Sequence, residues 1–295
     1  MVQWRGRRQS TNVEDARGAA GAAAGGGVIL IILRLVIGRF GIRGVVFLVA
    51  GFFILTAVGV DPMALLQGQT ATRQASRAPA ADDDDFQFVG VILAETENTW
   101  EQIFAENGAR YAPPTLKLYT GEVRSACGAA TSAAGPFYCP ADQKVYLDTS
   151  FFRELSQRFG APGDFAGAYV IAHEVGHHIQ TITGTSGKVR QAQRLAGQAE
   201  SNALQVRMEL QADCYAGVWA HDADFEDRIL EAGDIEEGLR AAAAIGDDTL
   251  QRNAGRRVTP ESFTHGTSEQ RQRWFYAGYQ SGDVNACDTF ADRAL

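Results

Sequence analysis

Three residues with the types and spacing of a metal site lie in the stretch from Ala168 to Gln180. His173, Glu174 and His177 form the array H-E-x-x-H, inside a run whose apolar spacing predicts a helix. Because residues four apart share one helix face, both imidazoles can bind one metal ion, with Glu174 beside an open coordination position. This arrangement predicts hydrolytic chemistry. Gly176 is expected to leave room beside the metal.

A second pair of acidic residues follows in another run with helical spacing. Glu209 lies about 32 residues beyond His177, and Asp213 is four residues further along, on the same predicted helix face. A catalytic zinc site uses three protein ligands, and a metal-bound imidazole usually donates its other N–H to a carboxylate. Glu209 is therefore the predicted third ligand and Asp213 the predicted partner of a ligand histidine. In the alternative, both carboxylates are merely solvated.

The array H-E-x-x-H followed by Glu209-Leu-Gln-Ala-Asp213 resembles the motif of the gluzincin metallopeptidases. More closely, the chain resembles a bacterial family of neutral zinc metallopeptidases whose members carry a membrane anchor. This resemblance also covers Trp4–Arg8, Asn12–Asp15, Gly135–Asp142 and Cys287–Asp288. It extends over most of the chain and implies a zincin-like domain, one zinc ion per chain and a protein or peptide substrate.

The resemblance assigns roles to the site residues. His173, His177 and Glu209 are the expected zinc ligands, and Glu174 is the expected general base for attack of water on a peptide carbonyl. His265 lies just before a predicted helix and resembles the histidine of a Thr-His-x-x-Ser/Thr loop found in several membrane gluzincins. It could donate a hydrogen bond to the oxyanion, and a purely structural role for this loop histidine is the alternative.

Several assignments stay open at the level of sequence. Tyr215, Tyr276 and Arg271 are further candidates for stabilising the oxyanion. The same ligands could also form a membrane-anchored zinc-binding or interaction protein that cleaves nothing. Glu174 argues against that alternative, because it is not needed to hold zinc. A zinc hydrolase acting on a non-peptide amide is a third class, since the metal chemistry does not depend on what flanks the carbonyl.

Charge is distributed unevenly along the 295 residues. Residues 1–43 carry a net charge of +5, whereas those after residue 60 carry a net charge of −13. The acidic larger part lacks the basic surface of a nucleic-acid-binding protein. Residues 1–43 are predicted to be a basic, largely disordered cytoplasmic segment that includes one short apolar stretch.

Residues 44–60 form an apolar run of 17 residues without charge, and this run is the predicted transmembrane helix. Arginines precede it, so the positive-inside rule places the N terminus in the cytoplasm and the domain outside, as a single-pass membrane protein. A signal peptide is the competing interpretation, but the run begins far from Met1 and no small-x-small cleavage site follows closely. Residues 61–85 are a predicted acidic, flexible linker to the metallopeptidase domain at residues 86–295.

The four cysteines lie on the predicted extracytoplasmic side, where disulfides form. Cys127 and Cys139 flank a stretch rich in Gly and Ala, which favours their local pairing and leaves Cys214 to pair with Cys287. The alternative is that these are buried free thiols.

The domain is predicted to be α+β, mostly helical with a small mixed sheet. Thr115–Tyr119 and Lys144–Asp148 alternate with period two, as strands do. In zincins an edge strand lies above the metal and pairs with extended substrate, and Gly135–Tyr138 is the candidate for it. An ordinary hairpin there is an equal alternative. The last helix is predicted to begin at a cap formed by Thr267 or Ser268.

Overall fold

The structure, a computed structural model, describes residues 1–17 and 83–291. Its strands are β1 (Val13–Asp15), β2 (Thr115–Tyr119), β3 (Glu122–Ser125), β4 (Gly128–Thr131), β5 (Phe137–Cys139) and β6 (Lys144–Asp148). Its α-helices are α1 (Asp84–Glu106), α2 (Ser150–Gln157), α3 (Asp164–Ile182), α4 (Thr185–Gln193), α5 (Gln198–Phe225), α6 (Asp234–Ala244), α7 (Asp247–Asn253) and α8 (Ser268–Ser281). The described residues are mostly helical with a small mixed sheet, so the predicted α+β class is confirmed.

A four-stranded sheet has the strand order β1-β2-β6-β5. β2 pairs in parallel with β1 and with β6, whereas β5 runs antiparallel to β6. The predicted strands Thr115–Tyr119 and Lys144–Asp148 are confirmed residue for residue. Apolar residues alternate with other residues in these strands because every second side chain packs in the main hydrophobic core. The side chains that do so are Leu116, Leu118, Val145 and Leu147.

The segment between β2 and β6 contains more structure than a turn. β3 and β4 form a separate antiparallel hairpin, and β5 then joins the main sheet as its edge strand. In the part of the chain that the structure describes, β5 has no strand partner on its outer side. Gly135–Tyr138, the candidate for the edge strand above the metal, therefore overlaps an open sheet edge.

The two helices that carry the predicted metal ligands pack closely at a glycine. His173 and His177 lie on α3, and Glu209 lies on α5. A Cβ atom built at Gly176 would lie 3.0 Å from both Cα and the carbonyl oxygen of Ala212 on α5. The expected role of Gly176 is therefore corrected, because the space that it leaves is filled by the backbone of α5 and not by the metal.

A second close crossing brings α8 to the site. Cβ atoms built at Gly217 of α5 and Gly278 of α8 would each lie 2.0 Å from a carbonyl oxygen of the other helix. α8 begins at a capping box, in which the Thr267 hydroxyl accepts from the backbone N–H of Gln270 and the Gln270 side chain accepts from that of Thr267. The predicted cap is confirmed at Thr267, and one turn later Arg271 enters the core.

All four cysteines of the chain form disulfides. Cys127 bonds to Cys139, and Cys214 bonds to Cys287. The second bond joins α5 to the turn Val284–Cys287 across 73 residues. Both predicted pairings are confirmed, and the free-thiol alternative is wrong.

Residues 1–15 belong to the same compact unit as the domain. Val2 and Trp4 lie in the main core, and Val13–Asp15 forms β1 of the sheet. The expectation of a largely disordered N-terminal segment is therefore corrected for these residues, because partners far along the chain order them. At the other boundary, Asp83 caps α1 by accepting from the N–H of Phe86, so residues 83–85 belong to the domain and not to the linker.

Within residues 1–17 and 83–291, none of the helices is long and apolar enough to cross a bilayer. The predicted transmembrane helix at residues 44–60 lies outside the described residues. The rest of the basic segment from residue 18 and the linker up to residue 82 also lie outside them.

Candidate metal centre

Two imidazoles and one carboxylate converge between α3 and α5. Donor atoms of His173, His177 and Glu209 all lie within 4.8 Å of one another. The Nε2 atoms of His173 and His177 lie 3.2 and 3.4 Å from Oε2 of Glu209. Atoms that bind zinc tetrahedrally at about 2.0–2.1 Å lie roughly 3.3 Å apart. The three side chains therefore fit the ligand set of a zinc site with one open position.

Each ligand histidine is oriented through its other ring nitrogen. Nδ1 of His173 donates to Oδ1 of Asp213 at 2.8 Å, and Nδ1 of His177 donates to Oε1 of Gln180 at 2.9 Å. Gln180 is fixed in this orientation because its amide nitrogen donates to the carbonyl of Met208 at 2.7 Å. With the proton held on Nδ1, the Nε2 atom of each ring is left to bind a metal.

Asp213 is fully buried among hydrogen-bond donors. Arg271 donates to both oxygens of its carboxylate at 2.8 Å, and the hydroxyl of Tyr169 donates to Oδ1 at 2.5 Å. Burial alone would raise the pKa of Asp213, but the Arg271 guanidinium and His173 lower this pKa to about 2. Asp213 is therefore a carboxylate near neutral pH, and it keeps the proton of His173 on Nδ1.

Glu174 lines the same cleft as the three candidate ligands and is 7% exposed. Burial raises the pKa of Glu174, and the neighbouring histidines and the backbone N–H of Tyr138 oppose this rise without cancelling it. A carboxyl group with a raised pKa beside an open coordination position is suited to accept a proton from water and to release it again.

These residues lie in an open cleft with a volume of about 810 Å³. The stretch Gly135–Tyr138 lines it, so the open edge of β5 borders the metal ligands. Apolar side chains from other elements also line the cleft: Phe151, Phe159, Val170, Ile245 and Leu250. The cleft is therefore bordered by the edge strand β5 and lined in part by apolar side chains.

His178 connects β5 to the ligand helix. Its Nε2 donates to the carbonyl of Ala112 at 2.7 Å, and its Nδ1 accepts from the Tyr138 hydroxyl at 3.0 Å. Both ring nitrogens have hydrogen-bond partners and the side chain is fully buried, so His178 is not placed to bind the metal.

His265 lines the cleft but lies outside the ligand cluster. Its Nδ1 lies 3.3 Å from Oδ1 of Asp247, whose Oδ2 accepts the backbone N–H groups of Thr264, His265 and Gly266. The hydrogen bond to Asp247 raises the pKa of His265. When His265 is protonated, its imidazole has a second donor, Nε2, with which it could stabilise an oxyanion.

The other three oxyanion candidates occupy different places. Arg271 lines the cleft, but its guanidinium is bound to Asp213. Tyr215 packs edge-on against Trp100 with ring centroids 5.4 Å apart, and Tyr276 is 42% exposed. Neither tyrosine is among the described residues that line the cleft.

Sequence reasoning missed three residues that support the site: Gln180, Gln205 and Asp247. Gln180 orients His177, and Gln205 donates to Oε1 of Glu209 at 2.8 Å. Both glutamines lie one helical turn from the ligand that they contact, so helical spacing was the available signal. Asp247 precedes His265 by 18 positions on a different element, and no spacing rule connects the two.

An H-E-x-x-H helix, a glutamate from a second helix and a carboxylate next to the candidate ligands together form the pattern of an HExxH-type metal site. The chain belongs to the family described as "Putative neutral zinc metallopeptidase", whose model matches residues 2–290. The match includes the N-terminal segment that the structure places in the domain. The family name implies zinc as the metal, in agreement with the donor set.

Two relatives from bacteria match most of the chain. "Uncharacterized protein YpfJ" of Escherichia coli strain K12 is 50% identical over 292 residues, which are 98% of this chain and 99% of the relative. "Uncharacterized protein Mb2605" of Mycobacterium bovis is 42% identical over 252 residues, which are 79% of this chain and 84% of the relative. No solved structure matches the chain.

Proposed function

We propose that the protein is a zinc-dependent endopeptidase in which Glu174 is the general base. The observation that carries this proposal is a buried carboxylate that is not needed as a ligand, in an open cleft beside two histidines and a glutamate arranged to bind zinc. A purely structural zinc site would more naturally close its fourth position with another protein ligand.

The chemistry follows from the position of each side chain. When bound, zinc supplies a Lewis acid that polarises the scissile carbonyl and makes water a stronger acid. Glu174 accepts the proton of the attacking water and returns it to the nitrogen of the leaving amine. Protonated His265 donates to the oxyanion that forms on the carbonyl. Asp213 and Gln180 hold the ligand imidazoles in one tautomer throughout.

The proposed substrate is an extended segment of a protein or peptide. The open edge of β5 supports this, because an added strand can form main-chain hydrogen bonds along it. An edge strand bordering an H-E-x-x-H helix also supports the zincin-like arrangement. The two disulfides favour a domain outside the cytoplasm, and the charge-free run at residues 44–60 favours attachment to the membrane.

The test uses the full chain, purified in detergent as wild type and as Glu174→Gln. We expect about one zinc per chain in both proteins by elemental analysis, because Glu174 is not a ligand. We expect only the wild type to cleave an unfolded protein, with a loss in the variant of roughly 10²–10⁴-fold or more. Glu200→Gln, at an exposed position of α5, is the matched control and should cleave normally.

Two results would count against the proposal. Cleavage by Glu174→Gln at the wild-type rate would remove Glu174 from the mechanism. Zinc bound by a wild type that cleaves neither proteins nor a peptide library would instead favour a zinc-binding interaction protein.

A further inference from the structure

The N-terminal segment, residues 1–15, is part of the core around the ligand helix α3. The indole of Trp4 packs edge-on against Phe88 of α1, with ring centroids 5.9 Å apart. The backbone N–H of Val2 donates to Oδ1 of Asp164, in the first turn of α3, at 3.0 Å. Val2 and Trp4 are 5% and 7% exposed, so the segment is buried in the domain and does not merely rest on its surface.

The same segment completes the sheet. β1 pairs in parallel with β2 over three residues, from Val13 opposite Leu116 to Asp15 opposite Leu118. Just before the strand, the carbonyl of Asn12 accepts the N–H of Leu116 at 2.8 Å. Because β1 covers this edge, β2 is an interior strand with buried side chains.

Acidic residues of α1 neutralise the arginines of the segment. The ion pairs are Arg5–Asp84 at 2.7 Å, Arg7–Glu95 at 3.4 Å and Arg8–Glu97 at 3.1 Å. Glu95 and Glu97 are buried, and buried carboxylates require such partners. Arg5, Arg7 and Arg8 therefore stabilise the domain, and these three of the seven arginines in residues 1–43 no longer support a cytoplasmic N terminus through the positive-inside rule.

We infer that residues 1–15 and residues 83–291 lie in the same compartment. Direct hydrogen bonds and ion pairs join them, whereas a bilayer would separate them by about 30 Å of hydrocarbon. A single crossing at residues 44–60 would place them on opposite faces, which this packing does not allow. The chain therefore leaves the domain after Asp15 and returns at Asp83 on one side of the membrane. The two disulfides assign the extracytoplasmic side, so the N terminus lies there as well.

This inference is independent of peptidase activity and is tested with the full chain in bacterial cells. Thr11→Cys reports on the N-terminal segment, and Leu195→Cys reports on the domain, because both positions are exposed. The four native cysteines are bound in disulfides and provide no competing thiol. A membrane-impermeant maleimide is added to intact and to permeabilised spheroplasts, and a cytoplasmic thiol protein monitors the integrity of the membrane.

We expect intact spheroplasts to label both cysteines equally. Labelling of both only after permeabilisation would also support a common compartment, but would overturn the assignment to the extracytoplasmic side. Labelling of Leu195→Cys in intact spheroplasts, with Thr11→Cys protected until permeabilisation, would overturn the inference. An unchanged melting temperature verifies that each variant folds, and Gln3→Cys at another exposed position is the second reporter for the segment.

Discussion

Asp213 accepts hydrogen bonds from three buried side chains, those of His173, Tyr169 and Arg271. Loss of its charge would leave the Arg271 guanidinium, which is 2% exposed, without an ionic partner. The same change would weaken the acceptor that keeps the proton on Nδ1 of His173. Asp213 therefore links the stability of the core to the affinity for metal.

We expect Asp213→Asn to weaken zinc binding about 10–100-fold, because a neutral amide orients His173 less strongly than a carboxylate does. Competition with a chromophoric chelator measures this affinity on the full chain. Asp224→Asn is the matched control, since Asp224 lies on the same helix, 11 residues beyond Asp213, and accepts from the Tyr279 hydroxyl instead of from a candidate ligand. An unchanged zinc affinity in Asp213→Asn would contradict the assigned role.

The pair of Asp247 and His265 makes stability depend on pH. The hydrogen bond to Asp247 raises the pKa of His265 above the value of about 6.5 in an unfolded chain. A raised pKa contributes stability that is fully present below about pH 6.5 and is lost as the pH rises through the folded-state pKa. Asp247→Asn can keep an oxygen toward the three backbone N–H groups while it places an amide nitrogen opposite Nδ1.

We therefore expect Asp247→Asn to lower the pKa of His265, as measured by NMR titration of its ring protons. The variant should be less stable than wild type between about pH 4 and pH 6.5, where both partners are charged, and the part of the difference that comes from His265 should shrink as the pH rises above neutrality. Because the His265 side chain is half exposed, that part should stay below about 1 kcal/mol. His221, which bonds to the carbonyl of Tyr279, is the internal control. Equal His265 pKa values in both proteins would show that the pair is not coupled.

Helical spacing made part of the site predictable from the sequence. His173, His177, Glu209 and Asp213 lie on two helices at intervals of four, so their shared faces could be derived locally. Arg271 joins Asp213 across 58 residues, and its location depends on the close crossing of α5 and α8. Contacts of that kind are set by packing, which periodicity alone does not reveal.

At the scale of elements, the short strand β5 must hold its position beside α3. Three residue pairs with β6 and the bond from Cys139 to Cys127 fix one side of this strand. The contact from the Tyr138 hydroxyl to Nδ1 of His178 fixes it to the helix that carries the ligands. The Tyr138 hydroxyl is thus one of the contacts that hold the proposed substrate-binding edge beside the candidate metal ligands.

We expect Tyr138→Phe to raise KM for an unfolded protein roughly 2–10-fold, with little change in kcat. This factor corresponds to the net free energy that one hydrogen bond contributes. Hydrogen exchange over Phe137–Cys139 should become faster, and this result is readable without any peptidase activity. Tyr119→Phe is the control, since the Tyr119 hydroxyl has no hydrogen-bond partner among the described residues. An unchanged rate of hydrogen exchange in Tyr138→Phe would show that the hydrogen bond from Tyr138 to His178 does not position β5.

The elements differ in how far the sequence predicts them. β2 and β6 are each five residues long and show clear alternation, so their bounds were derived correctly. β1 is Val-Glu-Asp, three residues in a polar context, and nothing local marks it as a strand. Its conformation is imposed by pairing with β2, about a hundred residues later in the chain.

At the scale of the whole molecule, the same arginines admit two interpretations. Counted along the sequence, they mark a cytoplasmic flank of an apolar run. In the structure, Arg7 and Arg8 pair with buried glutamates of α1, and the segment that carries them supplies core side chains. The sequence contains the charges on both sides of each pair, but the fold alone shows that they meet.

If residues 1–15 are a structural part of the domain, removing their largest core side chain must destabilise the entire unit. We expect Trp4→Ala to cost about 3–5 kcal/mol, as for other buried tryptophans. For a domain of this size, that loss lowers the melting temperature by on the order of 10 °C. Thermal unfolding of the full chain in detergent measures it, with Thr11→Ala at an exposed position as the control.

Zinc binding provides a second test of the link between residues 1–15 and the helix that carries the candidate ligands. The N–H of Val2 is bound to Asp164 at the start of α3, so loosening of the segment should reach the helix that carries His173 and His177. We therefore expect a given concentration of zinc to raise the melting temperature of Trp4→Ala less than that of the wild type, because a ligand stabilises the folded state less when it binds more weakly. A variant that melts like the wild type would show that the segment is dispensable. A fragment that begins at residue 86 would then be an adequate substitute for the protein, whereas the packing of Trp4 indicates that it is not.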